Sequence, residues 1–120
     1  MNMLENFRDW NDVVSFAKGE VIFREHDPAD YMYVILSGEV EISLRGEPLG
    51  AELEGSIIGE MAMINDSQRS ATATTLSRVK AARMNRDQFR NIITKNPDFA
   101  LHLMQVMANR LRVADQLIAG

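Results

Sequence analysis

The chain has 120 residues with 13 basic and 17 acidic side chains, a formal net charge of −4 and no cysteine. One domain with one core fits this length, and a second catalytic or DNA-binding domain does not. The acidic balance argues against broad attraction to nucleic acid or anionic membrane, and the absence of cysteine excludes disulfides and thiol chemistry. Because no apolar run approaches the roughly 20 residues that span a bilayer, we expect a cytoplasmic protein without membrane contact.

The first two thirds of the chain predict a short helix followed by many short strands. Apolar side chains recur at helical spacing in the first 15 residues, which indicates an amphipathic helix packed on a barrel: Leu4, Phe7, Trp10, Val13 and Val14. Alternation from Glu39 to Leu44 predicts a half-buried strand, and the apolar run from Tyr31 to Leu36 predicts an interior strand. Turn residues separate such runs at near-regular intervals, which favours a sandwich or a jelly roll.

The last third predicts two helices over about residues 86–118, which complete a mainly β domain with flanking α-helices and a long C-terminal helix. Asn85 with Gln88 forms a capping-box pattern, and Asn96-Pro97 is a second helix start. The last helix carries two apolar seams, one of Met104, Met107, Leu111, Ala114 and Ile118 and one of Leu103, Val106, Val113 and Leu117. Either both seams pack on the domain as one broad face, or one of them is left for a second partner.

Residues 58–72 combine groups suited to a phosphate and to a sugar. Gly59 allows the backbone to approach a ligand closely, and the segment from Glu60 to Ile64 can open a helical turn with free N–H groups. Arg69 supplies a forked cation for phosphate. A carboxylate beside a phosphate site is repelled by it, so Glu60 is best explained as an acceptor for hydroxyl groups such as those of a ribose. A ligand with phosphate and ribose is a nucleotide.

The order Gly59-Glu60-x-Ala62, a loop, then Arg69-Ser70-Ala71-Thr72 resembles the phosphate-binding cassette of cyclic nucleotide-binding domains. This is the family of the catabolite activator protein and of the regulatory subunits of protein kinase A. The segments from Lys18 to Phe23 and from Asp27 to Val40 look like the first strands of that family. The resemblance covers roughly residues 16–117 and implies one domain over residues 1–120 that binds a 3′,5′-cyclic nucleotide. It also implies that the strands form a double-stranded β-helix, a jelly-roll-like β-roll over about residues 16–84.

The resemblance assigns roles to individual residues. Phosphate contacts are implied for Gly59, Met61, Arg69, Ser70 and Ala71, and ribose contacts for Gly59 and Glu60. Contacts to the base are implied for Ile42, Leu49, Thr72, Arg110 and Ala114. Arg110 can also pair with Glu60 when the last helix closes over the ligand. Ala114 and Asp115 stand where the catabolite activator subgroup places hydroxyl residues, a departure that leaves base recognition open.

We therefore expect a regulatory switch rather than an enzyme, with cAMP as the favoured ligand over cGMP and no other cofactor. In this family the last helix often dimerises, which implies a homodimer or a partner protein there. Two alternatives remain: a structural dimerisation domain that has lost nucleotide binding, and the sensor fragment of a larger transcription regulator or channel. Two isolated histidines, His26 and His102, provide no metal set, and no catalytic triad can be nominated.

Overall fold

The computed structural model of the protein describes residues 7, 9–65 and 68–119, without the side chains of residues 62, 65 and 112–119. Along the described chain, six strands are followed by a short helix, two more strands and two longer helices. The strands are β1 (Val13–Phe16), β2 (Val21–Phe23), β3 (Tyr31–Ser37), β4 (Val40–Leu44), β5 (Glu47–Glu52), β6 (Ile57–Ile58), β7 (Thr72–Thr75) and β8 (Val79–Asn85). The helices are α1 (Glu60–Asn65), α2 (Arg86–Lys95) and α3 (Pro97–Ala119).

The strands form two antiparallel sheets of four strands each. Their orders are β1-β8-β3-β6 and β2-β7-β4-β5, so neighbours in space are distant in sequence. The two sheets enclose one part of the core, and the helices cover the outer face of the first sheet. The predicted β-roll with flanking helices is confirmed.

The sequence of strand β3 is apolar on both faces because core clusters cover both faces. Met32 and Val34 point into the cluster shared with the helices, which includes Phe89 and Phe99. Tyr33 and Ile35 point into the cluster between the sheets. Because both faces are covered, the strand is buried from Met32 to Ile35 and lies between β8 and β6, as its pattern predicts.

Both predicted helix starts are confirmed by their caps. The Asn85 side chain accepts from the backbone N–H of Gln88, whose own side chain accepts from the Asn85 N–H at 2.8 Å. At the second start the Asn96 side chain accepts from the Phe99 N–H at 3.3 Å, and α3 begins at Pro97. These caps satisfy N–H groups that a helix leaves without partners at its first turn.

The predicted N-terminal helix is wrong at its end. Val13 and Val14 lie in β1, where they pair with Ala82 and Ala81 of β8, so the roll begins before residue 16. Pairing with an open sheet edge satisfies backbone groups of this segment and overrides the helical spacing of its apolar residues. Phe7 is buried against Trp10 and Phe99, with ring centres 5.1 and 5.9 Å away. Residues 1–6 and 8 of that prediction lie outside the described residues.

The two predicted seams of α3 do not remain intact. Leu103 is buried, and Met107 packs on the same core cluster although it belongs to the other seam. Met104 and Leu111 of that other seam are exposed by 61% and 64%. The face that packs on the domain therefore takes residues from both seams. Val106 is half-buried, and the side chains of Val113, Ala114, Leu117 and Ile118 lie outside the described part of the chain.

Candidate functional site

The backbone of Arg69 is held against a tight turn before β3. Its N–H donates to the Asp27 carbonyl at 2.9 Å, and its carbonyl accepts from the His26 N–H at 2.9 Å. His26 has a φ of 72°, in the left-handed region of the backbone, which only a few per cent of residues other than glycine adopt. These two hydrogen bonds fix where the Arg69 side chain enters the roll.

The Arg69 side chain is buried and points inward, with only 5% of the residue exposed. Its Nη1 donates to the Gly59 carbonyl at 3.2 Å, and its Nη2 donates to the Tyr31 carbonyl at 2.6 Å. The Cζ atom lies 4.2 Å from the centre of the Phe23 ring. The guanidinium is thus surrounded by two backbone carbonyls and an aromatic ring.

The electrostatics of Arg69 are unusual for a buried cation. Its Nε has no hydrogen-bond acceptor, and no ion pair of the described residues includes it. Burial lowers the pKa of the Arg69 guanidinium, while the nearby Tyr33, Asp30, Asp27 and Glu60 act in the opposite direction. A buried charge ordinarily has a partner of opposite sign. This site therefore has the capacity for an anion at the Nε edge.

Gly59 has no room for a side chain beside Arg69. A Cβ at this position would lie 2.5 Å from Nη1 of Arg69 and 3.3 Å from the Phe23 ring, and the backbone φ is 78°. Both the space and the left-handed conformation require glycine. The residue after it, Glu60, begins α1, so the cation and the carboxylate are placed on the two sides of one glycine.

The Glu60 carboxylate is almost fully buried and is neutralised by the last helix. Arg110 of α3 donates from Nη1 to Oε1 of Glu60. The Nη2 of Arg110 donates to the Ile57 carbonyl at 2.5 Å and lies 3.3 Å from Oε1 of Glu52. The other carboxylate oxygen of Glu52, Oε2, accepts from the Ser56 hydroxyl at 2.5 Å. Among the hydrogen bonds of the described residues, none goes to Oε2 of Glu60, which keeps its capacity to accept from a ligand hydroxyl.

The other predicted site residues form no hydrogen bond or ion pair with Arg69 or Glu60 among the contacts of the described residues, except Arg110. Ser70 is exposed, Met61 is 40% exposed, and Ala71 is half-buried before β7. Thr72 already accepts from the Glu25 N–H at 3.0 Å. The remaining base candidates are Ile42, half-buried in β4, Leu49, 61% exposed in β5, and Ala114, whose backbone lies in α3.

Phe23, Glu52 and Ser56 were not predicted from the sequence as parts of the site. Phe23 belongs to a strand whose apolar residues predict only core, and no spacing rule links it to Arg69. Glu52 and Ser56 are four positions apart, but their connection to Arg110 depends on how α3 packs. Phe23 and its neighbour Ile22 both pack against the core cluster between the sheets, so even the alternation of the strand gives no signal for a role of Phe23 in the site.

Other classes of site find no support in the described part of the chain. No group of three metal-ligating side chains occurs within it. None of its helices is both long enough and apolar enough to cross a membrane. Arg83, in the basic stretch around β8, pairs with Asp12 at 3.0 Å and lies 4.4 Å from the Tyr31 ring, so it holds the first strand in place.

Comparison with known proteins agrees with this geometry. The CRP-like cAMP-activated global transcriptional regulator of Mycobacterium tuberculosis is 34% identical over 112 residues, which cover 88% of this chain and 50% of that protein. The chain thus spans about half the length of this curated relative. An EAL enzyme has been solved in a cAMP-bound form with a TM-score of 0.65 and 34% identity, over 89% of this chain and 30% of the enzyme.

The same EAL enzyme has been solved in a cGMP-bound form, also with a TM-score of 0.65 and 34% identity, over 84% of this chain and 28% of the enzyme. The Thermus thermophilus catabolite activator protein has the same fold, with a TM-score of 0.82 and 24% identity over 97% of this chain and 57% of that chain. The family model of the cyclic nucleotide-binding domain matches residues 13–96. This chain belongs to the cyclic nucleotide-binding domain family.

Proposed function

We propose that this domain binds a 3′,5′-cyclic nucleotide between Arg69 and Glu60 and acts as a regulatory switch. The observation that carries the proposal is the buried Arg69 guanidinium, whose Nε has no acceptor and which has no ion-pair partner among the described residues. A cyclic phosphate supplies both a negative charge and an acceptor. It also carries a ribose next to the phosphate, which matches the adjacent Glu60.

Each part of the ligand has a proposed partner. Arg69 neutralises the phosphate, with the Ser70 hydroxyl and the backbone amides from Gly59 to Met61 completing the contacts beside Ala71. The Oε2 atom of Glu60 accepts from the ribose 2′-hydroxyl. The base lies against Ile42, Leu49, Thr72, Arg110 and Ala114.

We propose that cAMP binds at least as tightly as cGMP. The relative from Mycobacterium tuberculosis is named as cAMP-activated, and the related EAL enzyme has been solved with either nucleotide. In this chain Ser70 follows the cation directly, and a hydroxyl there is compatible with either base. A cGMP affinity ten times the cAMP affinity would overturn this order.

The proposed output passes through α3. A ligand shifts an equilibrium only if it binds two arrangements with different affinity, and Arg110 links α3 to the carboxylate that holds the ribose. The signal then reaches a partner protein, or a further domain if this chain is part of a longer regulator. We propose regulation in the cytoplasm without catalysis by this domain, and the names of the relatives as regulators support the regulatory role.

Calorimetric titration with cAMP and with cGMP tests the proposal, with 5′-AMP as a control that keeps the base and opens the phosphate ring. We expect saturable heat at one nucleotide per chain for the cyclic compounds. Absence of heat for both would refute nucleotide binding.

The second candidate, a dimerisation domain without ligand, is favoured by the exposed apolar side chains Leu101, Met104 and Leu111 on α3. Sedimentation of the ligand-free protein measures that dimer directly.

A further inference from the structure

The Phe23 ring lies against the Arg69 guanidinium inside the roll. The Cζ atom is 4.2 Å from the ring centre, within the range of a cation–π contact. A Cβ on Gly59 would meet both Arg69 and Phe23, so the guanidinium fills the space between that ring and the Gly59 backbone. The two carbonyl contacts of Arg69 use only its terminal nitrogens, Nη1 and Nη2. The Phe23 ring therefore holds the face of the guanidinium, which the hydrogen bonds to its terminal nitrogens leave without contact.

Phe23 is itself held in place by other rings. It stacks on Tyr33 with ring centres 6.2 Å apart and an interplanar angle of 27°. Tyr33 is 8% exposed and meets the edge of Phe16 at 6.3 Å. Burial raises the pKa of the Tyr33 hydroxyl, so this side chain stays neutral beside the cation. A fixed and uncharged aromatic stack thus leads from the core to Arg69.

We infer that Phe23 is a positioning residue for the cyclic nucleotide. Its ring fixes the Arg69 guanidinium so that the Nε–H, the donor without an acceptor, is directed at the phosphate. It also offsets part of the desolvation of the buried cation, because the negative face of an aromatic ring attracts a positive charge. This inference rests on the proposed function and adds a residue to the site that holds no ligand atom itself.

An aliphatic residue in place of Phe23 fills much of the same space but has no such face. Without the ring, the Arg69 guanidinium is held less firmly in the orientation that binds phosphate. Because cation–π contacts are strongest where water is excluded, we expect their removal here to lower the affinity for the nucleotide about tenfold. The rest of the roll offers a matched control, because Phe16 belongs to the same aromatic cluster and touches Tyr33 without reaching Arg69. We therefore compare Phe23→Leu with Phe16→Leu, and use Phe23→Tyr as the variant that restores a ring.

The first measurement needs no ligand. In arginine-labelled protein, the Nε–H resonance of Arg69 carries the ring-current shift of Phe23. We expect Phe23→Leu to remove this shift, Phe23→Tyr to keep it and Phe16→Leu to leave it unchanged. Thermal unfolding of each variant checks the fold, and Phe23→Met takes the place of Phe23→Leu if the latter does not fold. A resonance of Arg69 that is the same in parent and aliphatic variant would overturn the inference.

The second measurement is cAMP affinity of the same proteins. We expect about a tenfold loss for Phe23→Leu, less than twofold for Phe23→Tyr and less than twofold for Phe16→Leu. Equal losses in Phe23→Leu and Phe16→Leu would show a role in packing alone and contradict the inference. If the parent protein binds no cyclic nucleotide, the proposed function fails, and the ligand-free resonance then decides whether Phe23 orients Arg69.

Discussion

Arg110 on the last helix and Glu60 at the start of α1 form an ion pair across fifty positions of the chain. The Glu60 side chain is 4% exposed and the Arg110 side chain is 35% exposed, so the pair joins a buried carboxylate to an arginine at the surface. Glu52 and the Ile57 carbonyl also contact Arg110, which fixes the arginine between two carboxylates. One side chain of α3 thus contacts the group proposed to hold the ribose.

The coupling between this pair and α3 predicts a change in amide exchange on nucleotide binding. Saturating cAMP should protect the amides from Arg110 to Ile118, because the ligand adds contacts beneath the helix. Hydrogen exchange with and without cAMP measures this, and the amides of α2 from Phe89 to Ile93 are the internal control. Equal protection of α3 in both states, with binding confirmed, would show that the helix does not respond to the ligand. The signal would then not pass through α3.

Arg69→Ala should weaken cAMP binding by roughly 2–5 kcal/mol, because the phosphate would enter a desolvated site without its counter-charge. The protein should still unfold cooperatively, since the fold loses only two hydrogen bonds from the guanidinium to carbonyls, roughly 1.5–3 kcal/mol each, and the contact with the Phe23 ring, while it no longer buries the cation. Calorimetry gives the affinity and thermal denaturation the stability. Arg90→Ala, at an exposed arginine of α2, is the matched control and should bind as the parent does.

A comparison of Gly59→Ala with Gly46→Ala distinguishes the effect of a Cβ beside Arg69 from the backbone strain that alanine causes at any left-handed glycine. Gly59 and Gly46 have similar φ values of 78° and 82°, but only at Gly59 would a Cβ meet Arg69. Both alanine variants should lose about 1–2 kcal/mol of stability from the left-handed conformation. Only Gly59→Ala should also lose cAMP affinity, because Arg69 must move. Equal affinities in the two variants would disconnect the Gly59 contact from nucleotide binding.

Glu60 and the ribose form a double-mutant cycle. A 2′-deoxy cyclic nucleotide should bind the parent protein much more weakly than cAMP does, and Glu60→Ala should remove most of that difference, because both changes delete the same contact. Affinities from four titrations give the coupling energy. Independent and additive losses would put the ribose 2′-hydroxyl away from Glu60.

The local parts of this fold were predictable because their signals lie within a few residues. The caps at Asn85 and Asn96 and the two-faced strand β3 follow from spacing and residue type alone. Val13 and Val14 were assigned to a helix because their partner in the sheet, β8, lies almost seventy positions away in the sequence. Tertiary pairing decides such edge segments, and no local pattern contains it.

The site divides in the same way. Gly59, Glu60 and Arg69 lie within eleven consecutive residues and carry their chemistry in their types, so the cation and the carboxylate could be named from the sequence. Phe23 and Glu52 could not, because an apolar strand residue and an edge-strand carboxylate are ordinary in any β-roll. Their roles depend on the closure of the roll around Arg69 and on the way α3 crosses it.

The central claim is that the Nε–H of Arg69 receives the cyclic phosphate, and the most direct test is its own NMR signal during a cAMP titration. This atom is the one buried side-chain donor or acceptor of the described residues without a partner. The account predicts that its resonance moves downfield on saturation as a charge-assisted hydrogen bond forms, and moves more than the Nε–H of any other arginine. An Arg69 Nε–H signal that stays in place while cAMP saturates the protein would contradict the account.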